Sequence, residues 1–251
     1  MTRIAVDIRR KAYKNGTRAI EQLAFTARPG EFVALVGPSG AGKTTLLNLI
    51  AGLDHDMDGM IYFGTTDGPA TEPKASFMFQ EPRLMPWLTV RQNLELVLRP
   101  HGKTLDDDTL NKLLDSVGLG GCAFMFPDQL SGGMKRRVAL LRAFIIEPDM
   151  LLMDEPFESL DQPTASHLRE LLQDLWQRTR PTVLFVTHSL HEALALADRV
   201  LFLSARPSRV ILDFSVQAER PRDLGDATVR CLHDALLARY PRLLEGIVTP
   251  D

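Results

Sequence analysis

Gly37-Pro-Ser-Gly-Ala-Gly-Lys43-Thr44-Thr45 combines residue types and a spacing suited to handling a triphosphate. It fits the pattern G-x-x-x-x-G-K-[ST], with Gly37, Gly42, Lys43 and Thr44 at the defining positions. Glycines so spaced let successive backbone N–H groups turn toward an anion, and a following helix adds the positive end of its dipole. Pro38, Ser39, Gly40, Ala41 and Thr45 complete the cradle. Lys43 would neutralise the β- and γ-phosphates, and the Thr44 hydroxyl would hold Mg²⁺. A second site of the same chemistry is Met150-Leu-Leu-Met-Asp154-Glu155, an apolar run that ends in two acids. Asp154 would serve the metal opposite Thr44, and Glu155, pointing differently along the chain, would polarise an attacking water.

Three weaker candidates accompany these. Ser131-Gly132-Gly133-Met134 places a natural N-cap before a helix and offers a second anion cradle, although a flexible helix entry explains it as well. His188 ends the apolar run Thr182–Thr187, where a histidine could donate to a γ-phosphate oxygen. Tyr13 is either a rim aromatic or a platform for a purine ring. His55, His101, His167, His191 and His233 lack such context and read as surface or capping residues.

The elements that must position these groups follow from periodicity. Ile4, Val6 and Ile8, then Leu23, Phe25 and Ala27 after Asn15-Gly16, alternate with polar neighbours and predict an antiparallel hairpin. Glu31–Val36 predicts a buried strand before the phosphate loop and Leu46–Ala51 a helix after it, stopped by Gly52. Met60–Phe63 and Ala75–Phe79 predict short strands around a Gly/Pro/Thr loop. Two prolines between Gln80 and Trp87 forbid a regular element there, yet the loop carries Leu84, Met85 and Trp87, which must fold onto the core or meet a partner. Helices are expected over Thr89–Arg99, from a capping pattern at Thr104-Leu-Asp-Asp107 to Gly118, from Ser131, from Ser159-Leu-Asp161-Gln, at Ser189–Ala197 with a Ser189/Glu192 capping box, and from Asp226. Strands are expected at Val200–Leu203 and Arg209–Asp213.

At 251 residues the chain can bury a substantial core. A formal charge of −3 announces no basic surface for nucleic acid. Cys122 and Cys231 have no metal-type spacing and suggest a reducing compartment. No run approaches the roughly 20 apolar residues of a membrane span, and the alternating N-terminus does not look like a signal peptide, so any membrane role is expected to depend on a partner.

Taken together, these stretches resemble the ATP-binding subunit of an ABC transporter over essentially the whole chain. Leu130-Ser-Gly-Gly-Met134, Leu151-Leu-Met-Asp-Glu-Pro156 and Ser159-Leu-Asp161 resemble that family's signature, Walker B motif and D-loop. By the same resemblance Gln80 is the Q-loop glutamine, both a metal ligand and part of the catalytic set, Tyr13 is the A-loop aromatic, and His188 is the switch histidine. The resemblance implies an α/β P-loop NTPase fold, a RecA-like core sheet with an antiparallel β subdomain and an inserted α-helical subdomain. It implies a single domain over 1–251, with core and β subdomain in 1–86 and 146–215, a helical insertion over 87–145 and a helical tail over 216–251. It further implies ATP and Mg²⁺ as ligands, and catalysis by Glu155, His188, Lys43 and Gln80. Ser131, Gly132, Gly133, Met134 and Asp161 would close the nucleotide site of a second, head-to-tail copy.

Gln80-Glu-Pro-Arg-Leu-Met-Pro-Trp-Leu-Thr-Val90 and Glu219-Arg-Pro-Arg222 look like the nitrate, sulfonate and taurine importer subfamily, with relatives that handle thiamine or pyrimidine precursors. The partners implied are a transmembrane permease, gripped by the Gln80–Trp87 loop and the helical insert, and a periplasmic solute-binding protein. The place implied is the cytoplasmic face of a bacterial inner membrane. A soluble ABC ATPase acting on DNA or ribosomes would share the nucleotide motifs, whereas a small-molecule kinase would share only the phosphate loop. Three departures from the family pattern stand out. Ser189 stands where aspartate is common, and Glu158 replaces a small residue where a second acid could repel Glu155 or the phosphates. Lys135-Arg-Arg137 is unusually basic and reads as a solvated helix face.

Overall fold

The computed structural model describes residues 2–65, 68–69 and 73–248. Part of the loop expected between Phe63 and Ala75, and the end of the tail, lie outside them. The chain divides into two compact units, Met1–Ala75 with Asp149–Glu155 and Arg180–Asp251, and Ser76–Pro148 with Pro156–Thr179.

In the first unit, β1 (Arg3–Ala12) and β2 (Arg18–Ala27) form the antiparallel hairpin expected from their alternation, in the register Ile4↔Ala27, Val6↔Phe25 and Ile8↔Leu23. Those six side chains are buried, so a slip of one residue would turn all of them to solvent. With β4 (Asp58–Thr65) and the short β5 (Gly68–Pro69) they make a sheet of order β2-β1-β4-β5.

The second sheet carries the site. Its strands β3 (Phe32–Val36), β7 (Met150–Asp154) and β8 (Thr182–Thr187) are buried at every position, as parallel strands covered on both faces must be. β8 lies between β3 and β7, parallel to both, and β9 (Arg199–Leu203) runs parallel to β3 on its other side. β10 (Val210–Ser215) runs antiparallel to β9. Because four neighbouring strands run the same way, the residues after β3, β7, β8 and β9 all emerge at one edge. That edge is where ligands bind in open α/β sheets. The helices of this unit are α1 (Lys43–Ile50), α6 (Leu190–Leu196) and α7 (Ala227–Arg239).

The strand β6 (Ala75–Met78) begins at the last residue of the first segment of this unit and continues into the second unit. That unit is mainly helical, with α2 (Val90–Leu98), α3 (Asp107–Ser116), α4 (Gly132–Phe144) and α5 (Gln162–Thr179). Thr89 and Gln92 make a reciprocal capping box on α2. The cap of α3 is Asp106 and not Thr104. Its carboxylate accepts from the Thr109 amide at 2.8 Å and the Thr109 hydroxyl at 2.7 Å, and a charged oxygen caps more strongly than a hydroxyl.

Candidate functional site

In the first unit the phosphate loop leaves β3 at Gly37 and enters α1 at Gly42, which caps the helix without any side-chain hydrogen bond. The first N–H groups of α1 are thus available to an anion. Gly42 has φ 99°, and a Cβ there would lie 3.1 Å from the Ala19 carbonyl oxygen, so both its conformation and its space require glycine. A Cβ at Gly37 would lie 3.0 Å from the Leu203 carbonyl oxygen, which seats the loop against the end of β9.

Lys43 is 6% exposed. Its ammonium donates to the carbonyls of Gly37 at 2.8 Å and Pro38 at 3.1 Å, and lies 3.7 Å from Glu155 Oε1. Glu155 Oε2 in turn lies 2.9 Å from His188 Nδ1. Three residues from the ends of three segments therefore converge, a lysine after β3, a glutamate after β7 and a histidine after β8. Glu155 lies in the left-handed region, φ 46°, with its backbone N–H donating a hydrogen bond to Val186 O at 3.0 Å. A non-glycine residue in that conformation is strained, and such strain gathers at functional sites. Asp154, one residue earlier, is 7% exposed. Thr44 and Asp154 offer the hard oxygen donors that suit Mg²⁺, and Lys43 with the uncapped α1 suits phosphate, so the donor set fits both expected ligands.

Tyr13 is hydrogen-bonded through its hydroxyl to Thr45 Oγ1 at 2.7 Å, which places the ring beside the first turn of α1. One residue that sequence reasoning missed also belongs here. Arg206, in the turn between β9 and β10, donates from Nε to Gly40 O at 3.1 Å and braces the loop. Its only sequence signal is a cation in a tight Pro/Ser turn. Glu192 departs from the expected capping box. Its backbone amide donates to Ser189 Oγ at 3.3 Å, but its carboxylate accepts from the Thr187 hydroxyl at 2.7 Å, and that hydroxyl accepts from the Ser189 amide at 3.0 Å. The Ser189 N–H, which a capping box would give to Glu192, is thus taken by the Thr187 hydroxyl.

The second unit gathers the other candidates. Ser131 caps α4 by accepting from the Met134 amide at 3.2 Å. Ser131, Gly132, Gly133, Asp161, Thr164 and His167 line an open groove of about 510 Å³. Hydrogen bonds from the Thr164 hydroxyl and amide hold the Asp161 carboxyl below its usual range. A Cβ at Gly133 would meet the Thr164 methyl at 2.7 Å, so α4 and α5 approach closely only because that position is glycine.

The basic run after the signature is not a solvated face. Arg136 is 8% exposed, and its guanidinium donates to the carbonyls of Gln80 at 2.6 Å, Pro156 at 2.8 Å and Glu158 at 2.7 Å. Arg137 donates to the carbonyls of Val117 and Gly118, both at 3.0 Å. Orphan carbonyls in irregular segments need donors, and arginine supplies several from one plane. Glu158 does not stand as an isolated second acid either, because it accepts a hydrogen bond from the side-chain amide of Gln80. The Gln80–Trp87 loop is likewise held by polar groups. Arg142 donates to Pro82 O at 2.8 Å and Arg83 O at 2.9 Å, and the fully buried Asn93 brackets Met85 through its amide and carbonyl. Leu84 and Met85 are half-buried, whereas Trp87 is 70% exposed.

Comparison with known proteins shows the family. The family model described as ABC transporter matches residues 20–158. The aliphatic sulfonates import ATP-binding protein SsuB 2 of Burkholderia lata is 44% identical over 94% of this chain and 85% of its own. SsuB 1 of Pseudomonas aeruginosa is 45% identical over 93% and 94%, and SsuB of Bacillus cereus is 41% identical over 89% and 88%. Among solved structures, a dimeric bacterial ABC transporter cassette superposes with a TM-score of 0.72 at 29% identity, covering 86% of this chain and all of that one. A dimeric post-hydrolysis state of an ATP-binding cassette, bound to ADP and Pi, gives 0.72 at 28%, with the same coverage. A family model matched over residues 20–158, and relatives 41–45% identical over about nine-tenths of the chain, establish that the chain belongs to the ABC transporter family, as an ATP-binding, ATP-hydrolysing cassette.

Proposed function

We propose that this chain drives an importer of small organic anions of the aliphatic sulfonate type, working as a head-to-tail pair of cassettes on the cytoplasmic face of the membrane beneath a separate permease. A periplasmic solute-binding protein would deliver the solute. The names of the relatives support the solute class and the import direction, and the dimeric cassettes support the pairing. No helix among the described residues is long and apolar enough to cross a membrane. The whole of 1–251 would act as one such cassette.

The observation that carries the mechanism is the Lys43–Glu155–His188 convergence. Phosphoryl transfer to water passes through a loose transition state whose charge is spread over the transferred oxygens, so catalysis is positioning plus electrostatic stabilisation. Lys43 would leave its carbonyl partners to neutralise those oxygens, helped by the amides of Gly37–Thr45. Glu155 would orient the attacking water and accept its proton, and His188 would hold Glu155 or donate to a phosphate oxygen. Mg²⁺ would neutralise phosphate charge, and Thr44, Asp154 and Gln80 would hold it. Tyr13 would support the adenine ring. Ser131, Gly132, Gly133, Met134 and Asp161 of one copy would close the site of the other.

Replacing Glu155 by Gln keeps the shape and removes the base. Steady-state ATPase of the Glu155→Gln protein should fall at least about 100-fold with ATP affinity retained. Near-normal turnover would remove Glu155 from its role. Stimulation of ATPase by aliphatic sulfonates in the reconstituted transporter, absent with unrelated solutes, checks the solute class.

A further inference from the structure

Gln80 and Glu158 lie far apart in sequence but meet in the second unit, the Gln80 Nε2 group donating to Glu158 Oε2. An ionised carboxylate can only accept, so this contact decides which end of the Gln80 amide is nitrogen and which is oxygen. Among the described residues the Gln80 amide oxygen has no donor, and it is the one atom of that side chain able to ligate a hard cation. Both partners are also fixed through their backbones. The Arg136 guanidinium binds the Gln80 carbonyl with NH1, at 2.6 Å, and the Glu158 carbonyl with NH2, at 2.7 Å. One rigid fork thus sets the spacing of the two residues whose side chains then pair.

We infer that Glu158 is a positioning residue for Gln80, orienting its amide oxygen for metal, with Arg136 as the clamp that presents the pair. This rests on the reading of Gln80 as a metal ligand in an ATP-hydrolysing cassette. It gives a purpose to the acid that replaces the family's small residue before Ser159-Leu-Asp161. Partners that orient a metal ligand typically contribute 10- to 100-fold in metal affinity, and the half-exposed setting of Glu158 places the effect near the lower end.

The test uses the full-length protein with ATP and Mn²⁺, the metal followed by electron paramagnetic resonance. Glu158→Ala should weaken Mn²⁺ binding in the nucleotide complex about 10-fold while leaving ATP affinity without metal unchanged. Glu158→Gln keeps an acceptor oxygen without the charge and should stay within about twofold of wild type. Equal Mn²⁺ affinity in Glu158→Ala and wild type would overturn the inference. So would an equal loss in Glu158→Ala and Glu158→Gln, because charge and not orientation would then be the cause. Failure of the wild-type protein itself to bind Mn²⁺ with ATP would overturn the underlying assignment instead, and the two failures are read in different samples. Thermal unfolding of each variant separates any loss of fold from loss of metal.

Discussion

Arg136 sits where local sequence suggested a solvated cation, and it is buried with three backbone carbonyls as partners. An arginine so placed is held by satisfied hydrogen bonds, and removing it leaves the carbonyls orphaned in a low-dielectric setting. Arg136→Met, of similar length and without donors, should destabilise the protein by about 3 kcal/mol. Urea unfolding followed by circular dichroism checks this, and a loss below about 1 kcal/mol would mean that water replaces the clamp. Glu155 illustrates a different residue-scale effect. Its left-handed backbone is maintained by the sheet, through Val186, and points its carboxylate toward Lys43 and His188. The strain is a property of the position, so Glu155→Gln inherits it, and the substitution isolates the chemistry of the carboxylate.

At the scale of elements, α6 and α7 meet through a histidine pair. His191 and His233 stack with ring centroids 3.8 Å apart, and His233 Nδ1 lies 3.0 Å from Asp234 Oδ1. Burial lowers the His191 pKa below its ordinary 6.5, the neighbouring His233 lowers it further, and Asp234 opposes them. A histidine whose folded pKa is depressed binds fewer protons folded than unfolded. The resulting penalty is absent well above pH 6.5 and grows as pH falls through and below it. The melting temperature should therefore fall between pH 7.5 and pH 5.5, and fall less in His191→Gln. Parallel pH profiles for the two proteins would exclude the pair as the cause. The tail helix is thus coupled to the element that follows His188, a link that the spacing of Val229, Leu232 and Leu236 does not reveal. That spacing predicts a helix and one apolar side, of which Val229 and Leu236 are buried.

At the scale of the whole molecule, the proposed permease contact depends on which apolar residues remain outside. The Gln80–Trp87 loop spends Leu84 and Met85 partly on its own packing, and its backbone is fixed by Arg142 and Asn93. Trp87, at 70% exposed, and Phe124, at 75%, are the most exposed of the large apolar groups described in this unit, ahead of Leu96 and Phe126. Trp87→Asp should abolish solute-stimulated ATPase and transport in the reconstituted complex. Basal ATPase should persist, with stability changed by no more than about 0.5 kcal/mol, as for other exposed sites. Unimpaired transport would move the contact elsewhere. A net charge of −3 is consistent with a partner recognised by shape and apolar contact.

The strand–loop–helix of the phosphate loop, the buried strand that ends in the acid pair and the alternating hairpin are legible in the sequence because each is local. A glycine spacing, an apolar run or a period of two reports its own conformation within a few residues. Ser131, as N-cap, was legible for the same reason. Periodicity could not say which long-range partner a polar side chain would take. The burial of Arg136, the pairing of Gln80 with Glu158, the brace from Arg206 to Gly40 and the stacking of His191 on His233 all join residues distant in sequence. Such pairings depend on which carbonyls and carboxylates the fold leaves without water, and only the tertiary structure decides that.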